Sequence, residues 1–305
     1  MRVTDQIAAD SVPGRQKRDL SSVRYFQSRR FQNRVATILI FLVLIAGTIF
    51  VMLPFFWMIS TSLKRPGTEF AFPIEWIPNP PYWPNYPDAW TLLPFSTWFL
   101  NTVNITSVSI IGHVVSCAIV GFGFARIRFV GRDALFVLVL ATLMLPYPSI
   151  VAPLFLLFKN LGWIDTFLPL IVPTFFASNA FYIFLLRQFF RTIPMDLDDA
   201  ARVDGCNTFG VFWHIALPLT RPAMGIIAVF SFMLHWNDFL GPLIFLSSTE
   251  NFTLALGLRF FQGQYQVQWS LLMATSLVIL MPTIVVFFVA QKYYIQGIVV
   301  TGIKG

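Results

Sequence analysis

The chain has 305 residues, of which 56% are hydrophobic and only 11% are charged. Soluble domains carry far more charge, so this composition argues against a soluble enzyme and predicts an all-α polytopic membrane protein. The net charge of +7 does not indicate nucleic-acid binding, because the basic residues gather in segments that flank apolar stretches.

Six apolar stretches reach the roughly 20 residues that a helix needs to cross a bilayer. We expect transmembrane helices near residues 35–62, 98–124, 133–158, 167–190, 221–247 and 269–291. Prolines inside these stretches predict kinks, which membrane helices tolerate where neighbouring helices satisfy the freed backbone groups. These stretches divide the chain into a basic tail (1–34), a first helix with its outer loop (35–96), a transmembrane core (97–291) and a second tail (292–305).

The distribution of basic residues predicts how the chain is oriented. Most of the 21 Lys and Arg residues fall on one side of the membrane if the N-terminus lies inside. The positive-inside rule therefore predicts that both termini are cytoplasmic. The same orientation places the long polar loop 191–220 in the cytoplasm, and the loop at 66–97, rich in Pro and aromatic residues, outside.

The cytoplasmic loop contains the signals of a short capped helix. Pro194 suits a helix start, because its missing N–H is not needed there. Asp196, Asp198 and Asp199 follow in the first turns, where carboxylates favour the positive end of the helix dipole. Gly205 can adopt the left-handed conformation that ends a helix. Leu197, Ala200 and Ala201 share one face by their spacing, and a face of small residues predicts a docking surface for another protein.

Besides the histidines, one titratable residue, Asp238, lies well inside a predicted span. Intramembrane ionisable residues mark functional sites by default. With Trp236 and Asn237 it precedes a Gly241–Pro242 break. It either accepts hydrogen bonds from backbone groups freed at a kink or lines an aqueous path. The three histidines are interpreted as packing residues.

Motifs for covalent chemistry are missing from the sequence. No Gly-Lys-Ser/Thr phosphate-binding loop occurs, so the chain itself is not expected to bind ATP in that manner. No spacing of Cys and His suggests a metal site, and no arrangement suggests catalytic residues. We therefore expect neither a cofactor nor an enzyme activity.

The cytoplasmic loop resembles the coupling loop of binding-protein-dependent ABC importers, which reads Glu-Ala-Ala, three residues, Gly, and then Ile-x-Leu-Pro. The matching positions, which the resemblance implies contact the ATPase, are Asp199, Ala200, Ala201, Asp204, Gly205, Leu217 and Pro218. An Asp stands at position 199 where the family usually has Glu, and Cys206 stands where a small residue is common.

Further motifs resemble the maltose-type, carbohydrate-uptake branch of these permeases. They are Trp98-Phe99-Leu100-Asn101-Thr102, Trp236-Asn237-Asp238-Phe239-Leu240, and the C-terminal Thr301-Gly302-Ile303-Lys304-Gly305. The resemblance implies that Lys304 and Gly305 reach the ATPase. It also makes Asn101, Trp236, Asn237 and Asp238 candidates for the translocation path or for a kink.

The resemblance implies a type I importer fold with six transmembrane helices in the bacterial inner membrane. The expected partners are a second permease, two ATP-binding cassette subunits, an extracytoplasmic solute-binding protein, a sugar substrate and the lipid bilayer. A polyol phosphate such as glycerol 3-phosphate is an alternative substrate. A self-contained secondary transporter is a further alternative, but it leaves the coupling loop unexplained.

Overall fold

The computed structural model describes residues 29–263 and 267–302. Within these residues the secondary structure is helical, with one isolated bridge between Gln262 and Val267 and no strand. The all-α prediction is therefore confirmed. The chain divides into two compact units, Met1–Trp57 and Met58–Gly305.

The α-helices of the described residues are numbered here in chain order. They are α1 (Arg29–Ser62), α2 (Asn85–Leu92), α3 (Phe95–Arg126), α4 (Arg132–Ala141), α5 (Tyr147–Asn160), α6 (Leu168–Ile171), α7 (Ala180–Thr192), α8 (Met195–Val203), α9 (Thr208–Val211), α10 (Leu217–Leu219), α11 (Arg221–Trp236), α12 (Leu240–Phe245), α13 (Leu254–Gly257) and α14 (Trp269–Gly302). Short 3-10 helices cover Thr142–Met144, Val172–Phe176, Thr249–Asn251 and Leu258–Phe261, and a π-helix covers Phe212–Ala216.

Four helical stretches of the described residues are long and apolar enough to cross a membrane, namely Asn33–Ser62, Phe95–Arg126, Leu168–Thr192 and Trp269–Gln291. These stretches correspond to four of the six predicted spans. Two further pairs of helices pass the same test only together, because each pair is sharply bent. Counting each bent pair as one span raises the total to six.

The predicted third span is not one straight helix. It is a pair, Arg132–Met144 and Tyr147–Asn160, bent by 101°. Pro146 and Pro148 lie at the bend, and a proline both removes a backbone donor and disfavours the helical conformation of the residue before it. The sequence predicted kinks, but not a bend close to a right angle.

The predicted fifth span, 221–247, is also interrupted. Helix α11 ends at Trp236, and the separate helix α12 begins at Leu240. Pro242 has no N–H to continue the hydrogen-bond ladder of α11. The second bent pair instead joins Thr208–Leu219 to Arg221–Trp236 at 75°. The first half of this pair therefore consists of residues that the sequence predicted to belong to the cytoplasmic loop 191–220.

Helix α3 lies at the centre of the second unit. Its buried side chains Cys117 and Phe122 pack with Leu186 and Phe190 of α7 and with Ile227 of α11. A side chain at Gly121 of α3 would lie 3.0 Å from the Leu186 Cβ, so glycine permits the close approach of α3 and α7. This contact determines where the C-terminal end of α3 lies relative to α8.

A second apolar cluster surrounds the N-terminal end of α3. Phe95 and Trp98 pack with Trp236, Leu254 and Phe261. The Phe95 and Phe261 rings stack with their centroids 5.4 Å apart. The two clusters therefore hold α3 near both of its ends.

Candidate functional site

Helix α8 has the ends that the sequence predicts. Pro194 occupies the N-cap position, and the helix ends at Val203. Gly205 follows with a φ of 90°, its N–H donates to the Arg202 carbonyl at 3.0 Å, and the Cys206 N–H donates to the Ala201 carbonyl at 2.9 Å. This pair of hydrogen bonds is the Schellman arrangement, which satisfies carbonyls at the end of a helix.

An ion pair that the sequence analysis did not identify joins α8 to the transmembrane core. The Arg126 Nε, at the C-terminal end of α3, lies 3.6 Å from the Asp198 Oδ2, and both side chains are buried. The Arg126 guanidinium also donates to the Ile193 carbonyl at 2.7 Å and to the Met195 sulfur. Arg126 therefore contacts the residues on both sides of Pro194 and fixes the start of α8 against α3.

The rest of α8 is divided between a buried and an exposed side. Ala201 is buried in the core with Phe212 and Ala216, whereas Leu197, Asp199 and Ala200 are exposed. The sequence analysis placed Ala201 on the docking face together with Leu197 and Ala200. The structure corrects this placement, because the first turn of the helix must bury Asp198 against Arg126, and Ala201 follows Asp198 three residues later on the same side.

The segment after Gly205 adds aromatic side chains to this surface. Phe209 and Trp213 are exposed, and their rings stack with centroids 6.2 Å apart. Val203 at the end of α8 is 87% exposed. Leu217 and Pro218 are only partly exposed. Contiguous exposed apolar residues on one face are typical of protein interaction sites.

Asp238 lies in the short break between α11 and α12. Its Oδ1 accepts a hydrogen bond from the Gly241 N–H at 3.1 Å. The Asn237 amide donates to the Met233 carbonyl at 2.8 Å, and the Trp236 indole donates to the Ile279 carbonyl at 3.1 Å. Asp238 and Asn237 therefore bind backbone groups on either side of the break, whereas Trp236 binds the backbone of α14.

Asn101 also makes hydrogen bonds to the backbone. Its amide nitrogen donates to the Glu250 carbonyl at 2.7 Å and to the Phe252 carbonyl at 3.0 Å. The Trp98 indole donates to the Thr249 carbonyl at 2.7 Å. Side chains from the first two turns of α3 thus hold segment 249–252, which precedes α13.

The same segment is held from another direction by Asp165, which the sequence analysis did not single out. Its Oδ1 accepts from the Ser247 and Ser248 N–H groups, each at 2.9 Å, and its Oδ2 accepts from the Ser248 hydroxyl. The Asn251 amide donates to the Asp165 carbonyl at 2.8 Å. These hydrogen bonds hold the pKa of the Asp165 carboxyl well below its ordinary value. The hydrogen bond from the Ser248 hydroxyl has the largest effect.

Two of the three histidines, which the sequence analysis interpreted as packing residues, lie side by side. The His113 and His235 rings stack with centroids 5.4 Å apart. The His113 Nδ1 lies 3.0 Å from the Ser231 hydroxyl. The pairing joins α3 to α11, and the spacing of the two histidines in the sequence gave no sign of it.

The C-terminal candidates Lys304 and Gly305 lie outside the described residues. Helix α14 continues to Gly302, and much of the segment predicted as a tail is therefore helical. The coupling positions from Asp199 to Gly205 lie together on and just after α8. Asn101 lies near the N-terminal end of α3, whereas Arg126, which contacts α8, lies at the C-terminal end of α3.

Comparison with known proteins identifies the family. The family model described as "Binding-protein-dependent transport system inner membrane component" matches residues 117–300. The arabinooligosaccharides transport system permease protein AraQ of Halalkalibacterium halodurans is 37% identical over 209 residues, which cover 68% of this chain and 74% of the relative. The diacetylchitobiose uptake system permease protein NgcG of Streptomyces coelicolor is 28% identical over 288 residues, covering 94% and 95% of the two chains.

The fold is also found among solved structures. A chain of a bacterial ABC transporter involved in the import of the acidic polysaccharide alginate superposes with a TM-score of 0.78 at 22% identity, covering 88% of this chain and 98% of that one. The fold is thus that of a type I ABC importer permease. The chain belongs to the family of binding-protein-dependent transport system inner membrane components, whose members are transport subunits rather than enzymes.

Proposed function

We propose that this chain is the permease subunit of an ATP-driven carbohydrate importer. It forms half of the translocation path together with a second, homologous permease. Two ATP-binding cassette subunits bind on the cytoplasmic side, and a solute-binding protein delivers the sugar from outside. In this assembly the chain has six spans, with the two bent helix pairs counted as one each, and both of its termini are cytoplasmic.

Helix α8 is the proposed coupling element. The observation that carries this proposal is the buried Arg126–Asp198 ion pair at 3.6 Å, because it ties a short surface helix directly to α3, the helix at the centre of the core. A rigid displacement of α8 by the ATPase is then passed to α3. Coupling between nucleotide state and path orientation requires such a connection between two sites.

The exposed side of α8 is the proposed contact surface for the ATPase. It presents Leu197, Asp199 and Ala200, with Val203 at its end, and Phe209 extends it. Ala201 and Asp198 support this surface from inside. Gly205 ends the helix and directs the chain toward Leu217 and Pro218. The C-terminal Lys304 and Gly305 are proposed as a second contact with the ATPase.

A carbohydrate is the proposed substrate. The relatives AraQ and NgcG are named for arabinooligosaccharide transport and diacetylchitobiose uptake, which supports a sugar. We propose that Asn101, Trp236, Asn237 and Asp238 shape the path by holding its backbone. Their described polar groups bind main-chain atoms, and this favours the kink role of Asp238 over a role as a proton carrier.

The proposal is tested by reconstituting the chain with its partner permease, the ATPase and the binding protein in liposomes. We expect ATP-dependent accumulation of a neutral oligosaccharide from a panel that includes arabinooligosaccharides and diacetylchitobiose. Glycerol 3-phosphate serves as the anionic comparison. Uptake by this chain without the ATPase would contradict the proposal and favour a secondary transporter.

The contact surface has its own test. Leu197→Glu introduces a charge into the proposed apolar contact and should abolish co-purification of the ATPase. Ile77→Glu is the matched control, because Ile77 is an equally apolar, exposed side chain in the loop before α2. Equal ATPase recovery with the two variants would argue against α8 as the docking element.

A further inference from the structure

Five arginines converge on one cavity beside α8. The cavity has a volume of about 510 Å³ and lies among the C-terminal ends of α3 and α7 and the start of α4. The arginines that line it are Arg126, Arg128, Arg132, Arg187 and Arg191. The positive-inside rule explains why basic residues occupy this side of a membrane protein, but it does not require them to surround a common cavity.

The carboxylates near this cavity leave positive charge uncompensated. Asp198 pairs with Arg126, and the Asp133 Oδ1 lies 3.1 Å from the Arg132 Nε and 3.7 Å from the Arg187 Nη2. Five guanidinium groups thus face two carboxylates, a surplus of three positive charges. In the described part of the chain Arg128 and Arg191 form no ion pair. Such a cavity attracts an anion.

Part of this guanidinium cluster is held in place before any ligand binds. The Arg187 guanidinium lies over the Phe136 ring, 3.9 Å from its centroid, and the Arg187 Nε donates to the Phe124 carbonyl at 3.4 Å. The Arg126 guanidinium is fixed by the Ile193 carbonyl. Fixed side chains lose little conformational entropy on binding, and a planar guanidinium matches the oxygens of a phosphate group.

One wall of the cavity is apolar and continues onto the exposed surface of α4. Val137 lines the cavity, and Val137 and Leu138 are 64% and 63% exposed. A small soluble anion gains nothing from such a wall. A phospholipid gains contact for its acyl chains there while its headgroup lies among the arginines, as in basic pockets between membrane helices.

We propose that this cavity is a binding site for a phosphate group, and that an anionic phospholipid supplies it. The arginines bind the phosphate oxygens, and α4 contacts the acyl chains through Val137 and Leu138. A free phosphate-bearing solute shares the same headgroup chemistry. The lining of this site includes none of the residues proposed to shape the sugar path, and it shares Arg126 with the anchor of α8.

Native mass spectrometry of the purified permease complex in detergent tests the site. The probes are dioleoylphosphatidylglycerol, zwitterionic dioleoylphosphatidylcholine and inorganic phosphate. The double variant Arg128→Gln/Arg191→Gln removes two charges that form no described ion pair, and the ion pairs of Asp198 and Asp133 keep their partners Arg126, Arg132 and Arg187. Arg221→Gln is the control, because Arg221 is exposed at the start of α11 and does not line the cavity. The single variant Arg191→Gln replaces the double variant if the latter fails to assemble.

We expect wild type and Arg221→Gln to retain phosphatidylglycerol in preference to phosphatidylcholine. The double variant should bind phosphatidylglycerol about tenfold more weakly, which corresponds to about 1.4 kcal/mol. Displacement of the lipid by millimolar inorganic phosphate would identify a soluble phosphate as the ligand of the same arginines. Equal retention of phosphatidylglycerol by wild type, the arginine variants and the control would overturn the proposal.

Discussion

The Arg126 guanidinium lies 3.6 Å from the Asp198 carboxylate, and the two side chains are only 3% and 1% exposed. A buried charge is stable only when it is paired, and removal of one partner leaves the other in a medium that solvates it poorly. The pair therefore makes the position of α8 dependent on α3, whatever binds to the exposed side of α8.

Asp198→Ala should detach the start of α8. The expected cost is about 3–5 kcal/mol, the usual range for breaking a buried ion pair, and ATPase co-purification should fall with it. Asp199→Ala is the control for stability, since the Asp199–Arg202 pair, at 3.6 Å, is largely exposed and such pairs contribute about 0–1 kcal/mol. Thermal unfolding of the purified complex measures both costs, and equal losses in the two variants would contradict the anchoring role.

Gly205→Ala should weaken the end of α8. Gly205 has a φ of 90° in open space, so the cost comes from the backbone conformation and not from a clash, and amounts to about 1–2 kcal/mol. Gly123→Ala is the control, because the added Cβ is equally unhindered and alanine favours the helix there. Sugar-stimulated ATP hydrolysis should fall in Gly205→Ala and stay unchanged in Gly123→Ala. Gly205→Trp should lower hydrolysis further than Gly205→Ala. Unchanged hydrolysis in both Gly205 variants would count against this position in coupling.

Asp165 gives a predicted dependence of stability on pH. The pKa of its carboxyl is lowered in the folded protein by the hydrogen bonds from Ser248 and Ser247. Its stabilising contribution is therefore fully present above the ordinary value of 3.8 and is lost as the pH falls below it. Asp165→Asn should remove this component, so that the difference in melting temperature between wild type and variant narrows as the pH is lowered from 6 to about 3.

A matched control separates this effect from general acid denaturation. Asp88→Asn, which changes an exposed carboxylate in α2, is measured over the same pH range as the comparison. Parallel curves for the Asp165 variant and wild type would show that the hydrogen bonds to Ser247 and Ser248 contribute no pH-dependent stability.

Asp238→Asn should retain substantial uptake. The asparagine keeps an oxygen that can accept a hydrogen bond from the Gly241 N–H group, whose nitrogen lies 3.1 Å from the Asp238 Oδ1 in the wild type. The substitution removes the titratable proton. Asp238→Ala removes the acceptor as well and should transport less. Uptake by wild type should also persist when a protonophore is added at constant ATP. Loss of transport in the asparagine variant together with protonophore sensitivity would indicate proton-coupled transport.

The sequence by itself determined the membrane class, the family and the ends of α8. These features depend on composition and on local signals. Pro194 begins a helix and Gly205 ends one because of backbone properties that act within a turn. The apolar stretches likewise predicted the four helical stretches of the described residues that are long enough to cross a membrane. The resemblance in the loop after α7 was sufficient to indicate an importer permease, which the comparisons confirmed.

Only the tertiary structure decided which side of α8 faces the core. Helical spacing placed Leu197, Ala200 and Ala201 on one face, yet Ala201 is buried and the other two are exposed. The deciding contact is Arg126 with Asp198, and no local pattern connects residues so distant in the chain. The same holds for Asp165 with Ser248 and for His113 with His235. Prolines predicted kinks, but the 101° bend between α4 and α5 depends on how each half packs, because a proline permits a bend without determining its angle.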